Sequence, residues 1–241
     1  MYYYIFEAQR GPKDYERVAQ IKELLFTLGI AGEMASPMPG KSVEALVKGA
    51  IAKRYSTVIA VGGIELVNQV AHALEPYDAV FGIIPTHEHP DIAHLIGAET
   101  WKTAAENLKR RRWLPIRMGR INESSFFISP VRIDIPCSFE LRGPDYSLTS
   151  TDQHITIVAN SVLDVSFGQE EPTRRNFIQS LFKKQSPSES LSHVQLDQFD
   201  LTTEREVSVQ IAGIPITVTP SRFSLCDKEV KIIVGRGLSG E

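Results

Sequence analysis

The sequence predicts an α/β protein in which an N-terminal doubly wound parallel sheet is followed by a C-terminal antiparallel β-sandwich domain. Apolar runs of strand length alternate with apolar stripes of helical spacing in the first half of the chain, which is typical of parallel βαβ units. Short β-rich segments separated by turn residues dominate the second half. We therefore predict an α/β domain over residues 1–113 and a β-sandwich domain over residues 114–241.

The first predicted elements alternate between strand and helix. Tyr2 to Phe6 forms a strand, and the amphipathic helix that follows it ends at Gly29. A second strand is predicted between Gly32 and Ser36. Ser42 is a predicted N-cap, because its side chain can accept a hydrogen bond from the first turn of the next apolar stripe.

A strand, a tight turn and a helix in the middle of this half form the predicted ligand site. The apolar run from Val58 to Val61 ends in Gly62 and Gly63, and helical spacing follows directly. Glycines at the carboxyl end of a parallel strand let backbone N–H groups approach an anion, and the dipole of the next helix favours it. Any tight βα turn also favours glycine, so both interpretations stay open.

The later elements keep this order until the character of the chain changes. A strand from Ala79 to Ile84 precedes a short helix from Asp91 to Ile96, and a further helix ends in the basic run Lys109 to Arg112. A brief helix is predicted to start at Pro172. The predicted strands of the second half are 114–121, 124–129, 132–140, 155–159, 163–167, 194–199, 206–211, 214–219 and 230–234.

Composition excludes several classes of protein. A chain of 241 residues with 42% hydrophobic content has room for a sizeable core, and its formal net charge of −3 does not suit nucleic-acid binding. Cys137 and Cys226 are too few for a disulfide framework, which fits a reducing compartment. No stretch reaches the roughly 18 apolar residues of a membrane span, and the first residues lack signal-peptide features. We expect a cytoplasmic protein.

Four stretches, in order along the chain, carry a family resemblance. They are Val58-Ile-Ala-Val-Gly-Gly-Ile-Glu-Leu-Val-Asn-Gln69, Gly82-Ile-Ile-Pro-Thr-His-Glu-His-Pro-Asp-Ile-Ala93, Pro115-Ile-Arg-Met-Gly-Arg-Ile-Asn-Glu-Ser-Ser-Phe-Phe-Ile128 and Val207-Ser-Val-Gln-Ile-Ala-Gly-Ile-Pro-Ile216. Together they resemble the diacylglycerol kinase catalytic-domain family, which includes bacterial lipid kinases and sphingosine kinases and shares its nucleotide-domain architecture with NAD kinases. The resemblance spans nearly the whole chain and is weakest over residues 140–192.

The resemblance implies a nucleotide cleft, but its phosphate-binding turn is altered. The family's Gly-Gly-Asp-Gly-Thr becomes Gly-Gly-Ile-Glu-Leu here, so that Glu65 replaces a glycine that lets phosphate approach. A carboxylate about 4 Å from a phosphate would weaken binding by roughly 4 kcal/mol at an effective dielectric near 20. The residues of the remnant cleft are Gly62, Gly63, Glu65, Asn68, Pro85 and Asp91.

The resemblance also implies a catalytic base that this chain lacks. The family's C-terminal Asp-Gly-Glu supplies an Asp that takes the lipid hydroxyl proton, and Ala212 stands at that position. Asp227-Lys-Glu229 is predicted to be a turn, and Asp164 is the one remnant of the acidic metal loop. These changes predict a non-catalytic, pseudokinase-like protein. The alternative is an active ATP-dependent lipid kinase with relocated catalytic groups.

A second alternative is a metal-dependent hydrolase. Thr86-His-Glu-His-Pro-Asp91 resembles the Thr-His-x-His-x-Asp-His signature of metallo-β-lactamase-type hydrolases, in which His and Asp side chains hold a divalent metal. Its ligands would be His87, His89 and Asp91. The final His of the signature is Ile92 here, and polar loop residues at a vacated nucleotide site explain the same pattern.

The predicted partners follow from these features. We expect a small ligand, a lipid or a protein in the cleft between the two predicted domains, and neither a cofactor nor ATP with Mg²⁺. Lys109, Arg110, Arg111 and Arg112 could contact an anionic membrane, at about 1 kcal/mol per residue near the surface. The same cations also suit a solvated helix end, where they favour the dipole.

Overall fold

The computed structural model describes residues 1–168 and 192–236, which form two compact units. The first unit comprises Met1–Ile116 and the chain from Lys228 onward, and the second comprises Arg117–Asp227. The division predicted from the sequence, residues 1–113 and 114–241, differs from this grouping because the end of the last strand returns to the first unit. The predicted helix at Pro172 lies outside the described residues.

The first unit is built from alternating strands and helices. The elements are β1 (Tyr2–Phe6), α1 (Pro12–Thr27), β2 (Glu33–Ala35), α2 (Val43–Ala52), β3 (Thr57–Gly62), α3 (Ile64–Leu74), β4 (Val80–Pro85), α4 (Pro90–Ile96) and α5 (Trp101–Arg110). The strands are parallel in the order β4-β3-β1-β2, and the end of the last strand of the chain pairs with β4.

Local sequence signals explain where these helices begin and end. The Ala45 N–H donates to Ser42 Oγ at 3.2 Å, so the predicted N-cap of α2 is confirmed. Gly97 adopts the left-handed conformation (φ 61°) that ends α4. Every residue of β3 is buried, since helices cover both faces of a parallel sheet.

The second unit consists of antiparallel strands. Aromatic side chains fill its core, with the Phe199 and Phe223 rings stacked at 5.0 Å between centroids. Its strands are β5 (Trp113–Ile121), β6 (Ser125–Phe127), β7 (Val131–Arg142), β8 (Ser147–Ala159), β9 (Leu163–Gly168), β10 (Ser192–Leu196), β11 (Gln198–Thr203), β12 (Ser208–Ile211), β13 (Ile214–Val218) and β14 (Ser221–Ile233). Strands β5 and β14 extend into the first unit. The predicted fold class, a largely parallel α/β part followed by antiparallel strands, is confirmed.

One prediction about the C-terminal strands is wrong. The segment Asp227-Lys-Glu229 is not a turn, because it lies inside β14, whose first residues pair with β11 and whose last residues pair with β4. The three charged side chains of this segment are exposed, so the strand can continue through it without burying a charge.

Candidate functional site

The order of the parallel strands places a topological switch point between β1 and β3. The chain passes from β1 to β2 on one side and returns past β1 to β3, which then leads to β4 on the other side. Ligands of open α/β sheets bind at the carboxyl ends of the two strands where this direction reverses. The residues that follow β1 and β3 therefore define the candidate site.

The glycine turn after β3 is occupied by a carboxylate of the chain itself. Gly63 is the N-cap residue of α3, and its N–H donates to Glu7 Oε2 at 2.7 Å. Glu7 directly follows β1, and its own N–H donates to Val61 O at 2.9 Å. The first backbone donor of the predicted anion site thus binds an internal anion.

Gly62 is required by the close approach of Glu7. A Cβ atom added to Gly62 would lie 2.7 Å from Glu7 Oε2 and 2.8 Å from Glu7 Cβ. Contacts below 3.0 Å are not tolerated without movement, and Glu7 Cβ is fixed to the backbone. The glycine pair therefore has a steric role toward Glu7 as well as a donor role at Gly63.

Other residues of the predicted cleft lie around this turn with different environments. Glu65 is exposed in the first turn of α3, and Asn68 is half-buried one turn further along. Pro85 ends β4 directly opposite Gly62. The carboxylate that the turn holds is that of Glu7, which the sequence did not single out. Its position immediately after the first strand was the available signal, since the carboxyl ends of parallel strands share one edge.

The loop after β4 is tied to the start of α1. Thr86 Oγ1 lies 3.1 Å from His87 Nδ1, and His87 Nε2 lies 3.4 Å from Asp14 Oδ1. Asp14 Oδ2 accepts a hydrogen bond from the Arg10 N–H at 3.0 Å. The His87 side chain is 74% exposed, so its contact with Asp14 lies at the surface of the protein.

The structure does not gather the predicted metal ligands. Asp91 is buried in the first turn of α4, His89 is the N-cap residue of that helix, and His87 contacts Asp14. Both His89 and Asp91 take part in interactions of their own. Within residues 1–168 and 192–236, no group of three or more His, Cys, Asp or Glu side chains is arranged to hold a metal ion.

Ala212, which the sequence resemblance aligns with a catalytic base, lies in a tight turn of the second unit. Ala212 and Gly213 connect β12 to β13, and both have left-handed φ angles, 55° and 79°. The Ala212 side chain has no proton acceptor. Asp164, which the sequence resemblance aligns with an acidic loop, is buried in β9, where its Oδ1 lies 3.5 Å from His193 Nδ1.

The basic run ends α5 and is exposed throughout. Arg111 Nη2 donates to Thr57 Oγ1 at 2.9 Å, so this cation fastens the end of α5 to the start of β3. Lys109, Arg110 and Arg112 are exposed beside it, and Trp113 is 44% exposed. Among the helices of the described chain, none combines the length and the apolar character that crossing a membrane requires.

These features define the class of fold first. It is a parallel sheet with a glycine turn at its switch point, followed by an antiparallel β unit from which the last strand of the chain returns to the first unit. No protein-family model matches the sequence, and no curated protein matches it significantly. The fold is therefore identified from solved structures.

The fold is similar to that of solved diacylglycerol kinase structures from Bacillus anthracis. A crystal structure of a diacylglycerol kinase from this bacterium superposes with a TM-score of 0.73 at 14% identity, covering 98% of this chain and 97% of that one. A structure of a candidate diacylglycerol kinase from the same bacterium gives 0.73 at 12% identity, covering 98% of each chain. A yeast NADH kinase complexed with NADH reaches only 0.46 at 7% identity, and no conclusion follows from it.

Proposed function

We propose that this chain is a non-catalytic protein of the lipid-kinase fold, which binds a small ligand, a lipid or a protein partner. The observation that supports this proposal is Ala212, which stands where the resembling family has its general base. Phosphoryl transfer to a lipid hydroxyl needs a group that accepts the hydroxyl proton. A methyl side chain in a hairpin turn offers none.

The test is phosphorylation of diacylglycerol in mixed micelles with ATP and Mg²⁺, with an active bacterial diacylglycerol kinase as positive control. We expect no phosphatidic acid above the background without protein. Formation of phosphatidic acid by the wild-type chain would overturn the proposal. That result would favour the alternative, an active ATP-dependent lipid kinase with relocated catalytic groups.

The metal-dependent hydrolase is the weaker alternative. A metal site would need His87 as a ligand, but the His87 side chain contacts Asp14. It would also need further ligands. Elemental analysis of the purified protein, together with melting before and after chelation, tests it directly. Stoichiometric zinc, manganese or iron, lost on chelation with a fall in melting temperature, would revive this alternative.

Anionic membrane surfaces are part of the same proposal as a binding partner. The exposed cations Lys109 and Arg110 are followed closely in the sequence by exposed Trp113, and this combination suits the interfacial region of a bilayer. Such a contact would be peripheral, and it fits the cytoplasmic location that the sequence leads us to expect.

A further inference from the structure

The N-terminus of α3 is a place in the first unit where an anion is expected on physical grounds. Its backbone N–H groups lack partners within the helix, and the helix dipole adds partial positive charge there. The turn also lies at the switch point of the sheet. The group found at this position is the Glu7 carboxylate, 2.7 Å from the Gly63 nitrogen.

Several contacts hold Glu7 in this position. Its N–H donates to Val61 O at 2.9 Å, which continues the pairing of β1 with β3 by one residue. Its carbonyl oxygen accepts from Gln9 Nε2 at 2.7 Å. The missing side chain of Gly62 leaves the space that Glu7 Cβ and its carboxylate fill. The backbone of Glu7 is therefore fixed before any ligand arrives.

We infer that Glu7 is a specificity-determining residue, which acts as an internal anion on the α3 turn and excludes phosphate-bearing ligands from it. The inference rests on the proposed function, because it names the ligand class of the same site. A ligand that reaches this turn in the presence of Glu7 has to be neutral or cationic, and a hydrogen-bond donor or an amine suits the carboxylate.

Charge and geometry both support the exclusion. The Gly63 N–H is already directed at Glu7 Oε2, at a distance typical of charge-assisted hydrogen bonds. A phosphate oxygen about 4 Å from this carboxylate would be repelled enough to lower affinity about a thousandfold at an effective dielectric near 20. Phosphate and Glu7 therefore compete for one donor.

The test compares three proteins in inorganic phosphate at constant ionic strength: wild type, Glu7→Ala and Glu88→Ala. Glu88 is an exposed glutamate of the neighbouring loop, so its variant makes the same charge change without touching Gly63. We expect phosphate to raise the melting temperature of Glu7→Ala alone. Equal stabilisation of the wild type, no stabilisation of Glu7→Ala, or an equal gain in Glu88→Ala would overturn the inference.

A second measurement covers the case in which Glu7→Ala does not fold. The amide proton of Gly63 is expected downfield in the NMR spectrum of the wild type, and it should move upfield in Glu7→Gln, whose neutral amide is a weaker acceptor. An unchanged Gly63 resonance would contradict the contact. Neither readout measures phosphoryl transfer, so phosphate binding to a wild type that leaves diacylglycerol unphosphorylated would overturn this inference alone.

Discussion

Ala212 adopts a backbone conformation that its side chain disfavours. Its φ of 55° lies in the left-handed region, which costs a residue with a Cβ atom about 1 kcal/mol relative to glycine. We predict that Ala212→Gly raises the free energy of unfolding by about 1 kcal/mol, as measured by urea denaturation. Ala31→Gly, at an exposed position without a left-handed φ, is the control and should lower it. A loss of stability in Ala212→Gly would contradict the assigned turn.

Gly62 permits the contact between Glu7 and the α3 turn, and this gives a second prediction. Gly62→Ala should destabilise the protein by about 1–3 kcal/mol, since the new Cβ would overlap Glu7 Cβ and approach Leu66 Cδ2 at 3.0 Å. The measurement is urea denaturation monitored by circular dichroism.

The matched control for this prediction is Gly49→Ala. Gly49 is an exposed residue inside α2, where an added Cβ meets no atom within 4 Å. The free energy of unfolding of Gly49→Ala should rise by about 0.5–1 kcal/mol, because alanine has a higher helix propensity than glycine. Combining Gly62→Ala with Glu7→Gly should recover part of the loss. Equal behaviour of the two alanine variants would show that Gly62 has no steric partner.

At the residue scale, the sequence predicts the glycine turn of the candidate site but not the side chain that contacts it. The strand-to-helix turn at Gly62 and Gly63 is predictable because two glycines that interrupt an apolar pattern are visible locally. Glu7 was missed because its partner is 56 positions away, and only the parallel pairing of β1 with β3 brings them together. The exposed side chain of Glu65 shows the same limit, since spacing alone does not give the direction of a side chain.

At the scale of elements, the short edge strand β2 is held by a charged group. Glu33 accepts hydrogen bonds from Lys53 Nζ at 2.6 Å and from the Tyr55 hydroxyl at 2.9 Å, and both lie just beyond α2. The hydrogen bond from Lys53, followed by that from Tyr55, lowers the pKa of Glu33 below its ordinary value of 4.5.

This lowered pKa predicts a stability difference that depends on pH. An acid with a lowered pKa in the folded state stabilises that state fully above 4.5, and the contribution is lost as pH falls through the folded pKa. The melting temperature of the wild type should therefore exceed that of Glu33→Gln at neutral pH. The difference between the two melting temperatures should shrink as the pH falls. Melting curves between neutral pH and acid measure it, and Glu23→Gln, at an exposed site on α1, should show no such shrinking difference.

The strands of the second half show that strand bounds depend on pairing with distant segments, which a local sequence pattern does not reveal. Strand β14 was predicted over residues 230–234 and observed over Ser221–Ile233. Asp227, Lys228 and Glu229 resemble a turn because three charges interrupt the alternation of apolar residues. They are extended because they lie within β14, whose residues before and after them pair with β11 and β4, far away in sequence.

For the whole molecule, the chain's net negative charge makes its basic surface at the end of α5 the feature to test. Lys109→Gln combined with Arg110→Gln should weaken binding to phosphatidylserine vesicles about thirtyfold, from about 1 kcal/mol for each cation. Cosedimentation measures it. Arg111 is left intact because it binds Thr57.

The control for vesicle binding removes two exposed cations from other parts of the first unit, Lys13 and Lys48. Their glutamine variants should bind as the wild type does, and salt should weaken binding of the wild type. Equal binding to neutral phosphatidylcholine vesicles, or an equal loss in the control, would exclude a specific basic surface.

The overall fold was predictable because its signals are long and redundant. Alternating strand and helix patterns over the first half, then strand patterns over the second, specify the fold class even where single boundaries shift by a few residues. The ligand was not predictable to the same degree, since a few side chains select a ligand and the fold class alone does not specify them.

Strand β14 also bears on how the protein is made. Its last residues pair with β4, and the Val234 and Gly235 N–H groups donate to Arg112 O and Ile96 O in the first unit. During synthesis, the β4 edge of the parallel sheet stays open until the ribosome has produced the end of β14, after the strands of the second unit. The unit that begins first is thus completed last, and until then its exposed strand edge needs protection from pairing with other nascent chains.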